Sequence, residues 1–184
     1  MKLNKAVFLD RDGVINRPII IDGKPYPPRT IAKFEILPGV DQACATLRNA
    51  GYLLVVVTNQ PDVGRGLLEK ESVEAMHNAM ARQLPIDRVE VCYHAGARFG
   101  QDCECRKPRP GMLINAAAAL DIDLSRSFLI GDRWRDIDCG KRAGCRTVFI
   151  NWGYHETLRE QPDFSATSLS EAVEWILRGP GKSE

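Results

Sequence analysis

The sequence has no long apolar run. None approaches the ~20 residues that span a bilayer. The N-terminal MKLNKAVFLD offers only four apolar residues together, Ala6–Leu9, before an acid. That is too short for the apolar core of a signal peptide, so the chain reads as cytoplasmic. Charge of neither sign dominates: 25 Lys and Arg against 24 Asp and Glu leave +1. This balance, with no basic-aromatic stripe, argues against an extended nucleic-acid groove and leaves room for a local basic pocket. There is no internal repeat and no dividing linker, so the 184 residues read as one domain with a sizeable core. Without an obvious apolar surface helix, a monomer is expected. Histidine is scarce. Of the three, His77 and His155 stand apart from any partner cluster and read as helix or surface residues; only His94 lies among cysteines.

What is present is alternation. Short apolar runs at Ala6–Leu9, Tyr52–Val57, Val89–Tyr93, Phe128–Ile130 and Thr147–Ile150 read as strands. Between them lie helical patterns: one opened by Pro38-Gly39 and running to about Asn49, then Glu69–Gln83, Gly111–Leu120 and Trp134–Ala143. A last helix covers Leu169–Leu177, and residues 179–184 read as a loose tail. Strands apolar on both faces, alternating with helices, predict an α/β fold. The expectation is a Rossmann-like three-layer α/β/α sandwich with a mainly parallel sheet. Residues 152–168 carry no readable motif.

Ligands of such sheets bind beyond the carboxyl ends of the strands. Those ends here carry acids. The first strand stops at Asp10, with Asp12 and Gly13 following, and the glycine permits a tight turn that aims both carboxylates into one pocket. The second ends in Thr58-Asn59-Gln60; Phe128–Ile130 ends in Gly131-Asp132, with Asp136 one helical turn on. Arg106-Lys107-Pro108 lies between them. Converging carboxylates repel unless a cation sits among them, and oxygen ligands at an open, hydrated site favour Mg²⁺. A hydroxyl, a lysine and a metal around one carboxylate suit phosphoryl transfer.

A second constellation is Cys92-Tyr93-His94, eight residues, then Cys103-Glu104-Cys105. Three thiolates and one imidazole complete a tetrahedral Zn²⁺ shell with no open position, which makes a structural site. Such a metal would staple the loop 92–105 and hold Arg106-Lys107 in place. The scattered Cys44, Cys139 and Cys145 read as buried thiols.

Asp10-x-Asp12-Gly13, Thr58, Lys107-Pro108 and Gly131-Asp132-x-x-x-Asp136 together resemble the four ordered motifs of the haloacid dehalogenase superfamily of phosphatases. The resemblance implies that Asp10 attacks phosphorus to form an aspartyl-phosphate, while Asp12 is the general acid and base. Thr58 and Lys107 would hold the transferring oxygens. Asp10, Asp132 and the backbone carbonyl of Asp12 would ligate Mg²⁺, and Asp136 would fix Lys107 or a metal-bound water.

The cysteine loop directly before Arg106-Lys107-Pro108 resembles the capless heptose bisphosphate phosphatases, and is similar to the histidinol-phosphate phosphatase domain. The short span between Gly13 and the second strand agrees with the lack of a large cap domain. Removal of the C7 phosphate from D-glycero-D-manno-heptose 1,7-bisphosphate is then the expected activity. Histidinol phosphate or another small sugar phosphate is the alternative substrate, and an inactive zinc-stapled binding module the alternative of a different class. In this group Arg106 would contact the substrate, and Asn16, Asn59 and Gln60 would border the sugar phosphate. Arg65, Arg106 and Arg109, with Arg11, are placed to hold a second phosphate. The stretch RPIIIDGKPYPPRT after Asn16 is longer and richer in proline than in the heptose enzymes.

Overall fold

The structure, a computed structural model, describes residues 3–179; the expected tail from Pro180 onward lies outside them. The main sheet has six strands. In chain order they are β1 (Lys5–Leu9), β4 (Tyr52–Asn59), β5 (Arg88–Cys92), β6 (Phe128–Gly131), β7 (Arg146–Ile150) and β8 (Phe164–Ala166). β2 (Ile19–Ile21) and β3 (Lys24–Tyr26) form a separate hairpin. The helices are α1 (Val40–Asn49), α2 (Pro61–Gly64), α3 (Lys70–Gln83), α4 (Gly111–Leu120), α5 (Trp134–Ala143) and α6 (Leu169–Arg178).

Strand order is β5-β4-β1-β6-β7-β8, and every ladder in this sheet is parallel. Successive side chains of β1 point to opposite faces, and both faces are dry. Val7 and Leu9 pack into a core shared with α1 and α6; Ala6 and Phe8 pack into another built with α4 and α5. This is the expected α/β/α sandwich. Among the described residues no helix is long and apolar enough to cross a membrane.

The chain first leaves β1 toward β4 and β5, then returns to lay β6, β7 and β8 on the other side. The order therefore reverses at β1, and the crevice beyond the carboxyl ends of β1 and β6 is where such sheets bind ligands.

Strand edges differ from expectation by one or two residues. β4 runs on through Asn59, so Thr58 and Asn59 are paired strand residues, opposite Val91 and Cys92. The β2–β3 hairpin, α2 and β8 escaped the sequence reading. The β2–β3 hairpin turns at Asp22-Gly23, both with positive φ (50° and 71°), the conformation of an Asp-Gly hairpin turn. α2 is a single short turn. β8, only three residues on the sheet edge, is too short to show a period.

Candidate active site

Asp10 follows β1, and its backbone N–H is bonded to the Ile130 carbonyl at 2.9 Å. Its Oδ1 accepts from the Arg11 N–H at 2.7 Å and lies 3.0 Å from Lys107 Nζ. Oδ2 takes no hydrogen bond from the described residues, so it is the oxygen left free to react. Burial drives this carboxyl up to about 7; Lys107 opposes that, and Asp136 and Asp12 add to it.

Lys107 is 3% exposed; its Nζ donates to Val57 O (2.8 Å) and ion-pairs with Asp10 Oδ1 (3.0 Å) and Asp136 Oδ1 (2.6 Å). Burial alone would lower its proton affinity, but the two carboxylates outweigh burial and hold the ammonium charged. Its backbone is also fixed. Asn59 Oδ1 accepts from Lys107 N and Asn59 Nδ2 donates to Lys107 O, each at 3.1 Å.

Asp132 follows β6. No described residue bonds its side chain within hydrogen-bond geometry, and burial, then Asp10 and Asp136, raise its proton affinity well above the carboxylate range. The carboxylate leans over Gly13. A Cβ there would lie 2.1 Å from Asp132 Oδ2, and φ is +87°, so only glycine fits. Oxygens of Asp10, Asp132 and Asp136 lie within 4.8 Å of one another. Of these, Asp136 is committed to Lys107 and to the Arg133 N–H at the start of α5 (3.1 Å). That leaves the carboxylates of Asp10 and Asp132 as a hard-oxygen pair fit for Mg²⁺.

Asp12 is turned away from that pair. Its oxygens accept from Arg11 Nε (3.2 Å) and Nη2 (2.9 and 3.0 Å), Asn16 Nδ2 (3.0 Å) and Gln60 Nε2 (2.9 Å). Gln60 Nε2 also donates to Thr58 Oγ1 at 2.9 Å.

The cleft over these groups measures about 170 Å³. Asp10, Asp12, Thr58, Asn59, Lys107, Asp132 and Asp136 line it, together with Arg106, Arg133 and Arg135. The opposite wall is Pro18, Pro25, Tyr26 and Pro27 from the hairpin. The unusual loop after Asn16 is thus a small flap on the cleft.

Five expected residues are placed elsewhere. Asn16 and Gln60 are buried against Asp12 and do not line the cleft. Arg65 pairs with Asp62 and lies over the Phe99 ring, beside a second, basic hollow of about 450 Å³ that it shares with Arg98, Arg109 and Arg142. Arg11 was placed to hold a second phosphate; the structure instead buries it fully, against Asp12 and His77. Arg109 is taken up by Asp102 and Glu104.

The sequence reading missed a strap after β7. Trp152 Nε1 donates to Gly13 O at 2.7 Å, and its ring stacks on Tyr154. Glu156 binds Arg133 Nε and the Trp134 N–H, each at 3.0 Å, steadying the turn that presents Asp132 and Asp136. The one available signal was position: residues 152–156 follow a strand at its carboxyl end.

The four cysteine-loop residues also converge. Cys92 Sγ lies 3.6 Å from His94 Nδ1 and 3.7 Å from Cys103 Sγ; Cys105 Sγ lies 3.4 Å from each of the same two atoms. A tetrahedron with bonds of about 2.3 Å to sulfur and 2.0–2.1 Å to nitrogen has edges of about 3.5–3.8 Å. The donor set and its spacing fit a closed metal site. From it the chain runs directly into Arg106, whose Nη1 donates back to His94 O at 3.0 Å.

A family model described as HAD-hydrolase-like, where HAD stands for haloacid dehalogenase, matches residues 104–172. The chain is 35% identical to the D-glycero-D-manno-heptose-1,7-bisphosphate 7-phosphatase of Chlorobaculum tepidum, over 97% of both proteins. It belongs to the haloacid dehalogenase-like hydrolases. Within them it resembles named phosphatases. It is 38% identical to the β-anomer enzyme of Pasteurella multocida, covering 95% of this chain and 97% of that one. To the α-anomer enzyme of Burkholderia mallei it is 37% identical (96% and 90%). The crystal structure of the D,D-heptose 1,7-bisphosphate phosphatase from B. bronchiseptica, complexed with magnesium and phosphate, superposes with a TM-score of 0.75. The two are 31% identical, covering 95% of this chain and 98% of that one. This haloacid dehalogenase-like hydrolase is a phosphatase.

Proposed function

We propose that this phosphatase hydrolyses the C7 phosphate of a D-glycero-D-manno-heptose 1,7-bisphosphate. The observation that carries the reading is near full-length similarity to enzymes of that name, on a chain that keeps Asp10, Asp12, Lys107 and Asp132 at one crevice. Asp10 Oδ2 attacks phosphorus, forming an O–P bond as the bond to the C7 oxygen breaks. Asp12 gives that oxygen a proton, then takes one from the water that cleaves the aspartyl-phosphate. Thr58 and Lys107 hold the transferring oxygens. Asp10 and Asp132, with the Asp12 carbonyl, would hold Mg²⁺, which supplies positive charge to the phosphoryl oxygens.

Arg106 and Arg135 on the cleft wall, beside an Arg133 already paired with Glu156, favour a substrate with a second phosphate over histidinol phosphate, whose amine would meet like charge. Relatives carry both anomeric names, so the anomer is an experimental question. With Mg²⁺ present, kcat/KM on a heptose 1,7-bisphosphate anomer is expected to exceed that on histidinol phosphate by at least ~100-fold. Comparable rates on all three would sink the substrate assignment.

We further assign Zn²⁺ to Cys92, His94, Cys103 and Cys105, in a cytoplasmic enzyme whose thiols stay reduced. Removing it with a soft chelator is expected to speed amide exchange across residues 92–107 and slow turnover, leaving Mg²⁺ affinity in place. Unchanged exchange in that stretch would count against a stapling role.

A further inference from the structure

Arg11 is a large cation with no exposed surface, and the reaction does not use it directly. Nε and Nη2 are spent on Asp12. Nη1 remains, and it meets His77 Nε2 at 3.1 Å. Arginine has donors and no acceptor. The contact is therefore a hydrogen bond only if His77 Nε2 carries a lone pair, with the ring neutral and its proton on Nδ1. Burial first, and then the Arg11 charge, depress the imidazole to about 4, which keeps it neutral across the working range. His77 sits on the inner face of α3 with Val73, Met76 and Met80. The charged groups that act on it are Arg11 and Asp12. The Phe34 ring lies 5.7 Å from the guanidinium.

We propose that His77 is a positioning residue for proton transfer: by accepting from Arg11 Nη1 it fixes the guanidinium that orients the Asp12 carboxyl. This rests on the assignment of Asp12 as the acid that protonates the leaving oxygen. A chain of contacts then runs from α3 through His77 and Arg11 to the reacting group. Removing the acceptor strands a buried N–H, and the guanidinium turns to satisfy it, taking Asp12 out of line.

Misplaced acid chemistry has a signature that a loosened fold lacks. A sugar alkoxide needs a proton to leave, whereas p-nitrophenolate, a weak base, leaves without one. The experiment compares the heptose bisphosphate with p-nitrophenyl phosphate. It measures kcat and KM on the first and the first-turnover release of nitrophenolate on the second, which reports transfer to Asp10 alone. His77→Phe keeps ring volume and removes the acceptor. It is expected to lower kcat on the sugar phosphate about 10–100-fold, with KM within about twofold and nitrophenolate release within about threefold. His77→Gln, whose Oε1 reaches the Nε2 position, is expected to recover most of the loss. Should the phenylalanine variant not fold, His77→Met carries the same expectation.

Equal losses on both substrates, undiminished turnover of the sugar phosphate, or a folded glutamine variant as poor as phenylalanine would each overturn the proposal. Asp12→Asn separates the two levels. If it too loses both substrates equally, the acid role of Asp12 falls and the proposal with it. If Asp12→Asn is selective and His77→Phe is not, the proposal alone is wrong.

Discussion

Asp10→Asn is expected to lower kcat by at least ~10⁴-fold while leaving the fold intact. The amide keeps the shape and can still accept from the Arg11 N–H, but it offers no anionic oxygen to attack phosphorus. In a two-step mechanism no neighbour takes over, because Asp132 and Asp136 follow a different strand and Asp136 is tied to Lys107. Residual turnover within ~100-fold of the parent would exclude an aspartyl-phosphate on Asp10. The same variant makes a thermodynamic prediction of opposite sign. The folded-state Asp10 carboxyl sits at about 7, against 3.8 as its ordinary value, because burial outweighs the pull of Lys107. The folded protein therefore binds a proton there that the unfolded chain has released. Its favourable contribution is complete below pH ~4 and is lost as pH rises through 7. Asparagine has no such dependence. In buffer without divalent metal, the variant should gain thermal stability over the parent between pH 5 and pH 8, at ~2–4 °C per kcal/mol for a chain this long. A gap that does not change with pH would mean that Lys107 fully offsets the burial of Asp10.

Much of this was legible in the residue order, for a physical reason. A parallel strand buried on both faces leaves little choice of residue until its carboxyl end, so the change from apolar residues to Asp10, Thr58 or Asp132 marks the rim where substrate meets the sheet. The cysteine loop was legible because four metal donors within 14 positions need a reason to be together. Less visible was whatever depends on the far end of a flexible side chain. Arg11 reads as a phosphate-binding cation one residue from Asp10; only packing shows its guanidinium turned inward to Asp12 and His77. His77 shows a helical spacing with Val73 and Met80 that says it is buried, not that it faces a charge. Trp152, Tyr154 and Glu156 lie in a stretch without period, and Trp152 reaches Gly13 across more than a hundred residues of sequence. The hairpin over the cleft was announced by Asp22-Gly23, a turn signal that the flanking prolines and short strands obscured.

Lys107→Met should cost about 10³-fold in kcat, and its stability penalty should grow with pH. Methionine fills the same channel, so the change is one of charge and hydrogen bonds. Val57 O loses its donor, and Asp10 Oδ1 and Asp136 Oδ1 lose their cation. In catalysis, the transferring oxygens lose a buried cation at the point where negative charge gathers, a loss of about 10²–10³ for one such donor. In stability, stranding one side of a buried ion pair typically costs about 3–5 kcal/mol. Here Asp10 and Asp132 have an escape, because each can take up a proton. Lys107 lowers the proton affinity of both Asp10 and Asp132, so without it their carboxyls bind protons more tightly in the folded state. At pH 5 they are protonated and the penalty is small. At pH 8 the folded protein must either hold buried anions side by side or keep protons that the unfolded chain gives up, and either costs stability. Melting the parent and the variant in buffer without divalent metal at both pH values tests this. The difference in midpoint should widen toward pH 8, and added Mg²⁺ should narrow it by placing charge among the same oxygens. A penalty of equal size at both pH values would mean that the lysine is held by packing and not by its carboxylates. Arg133 would then be the nearest cation left to balance Asp132.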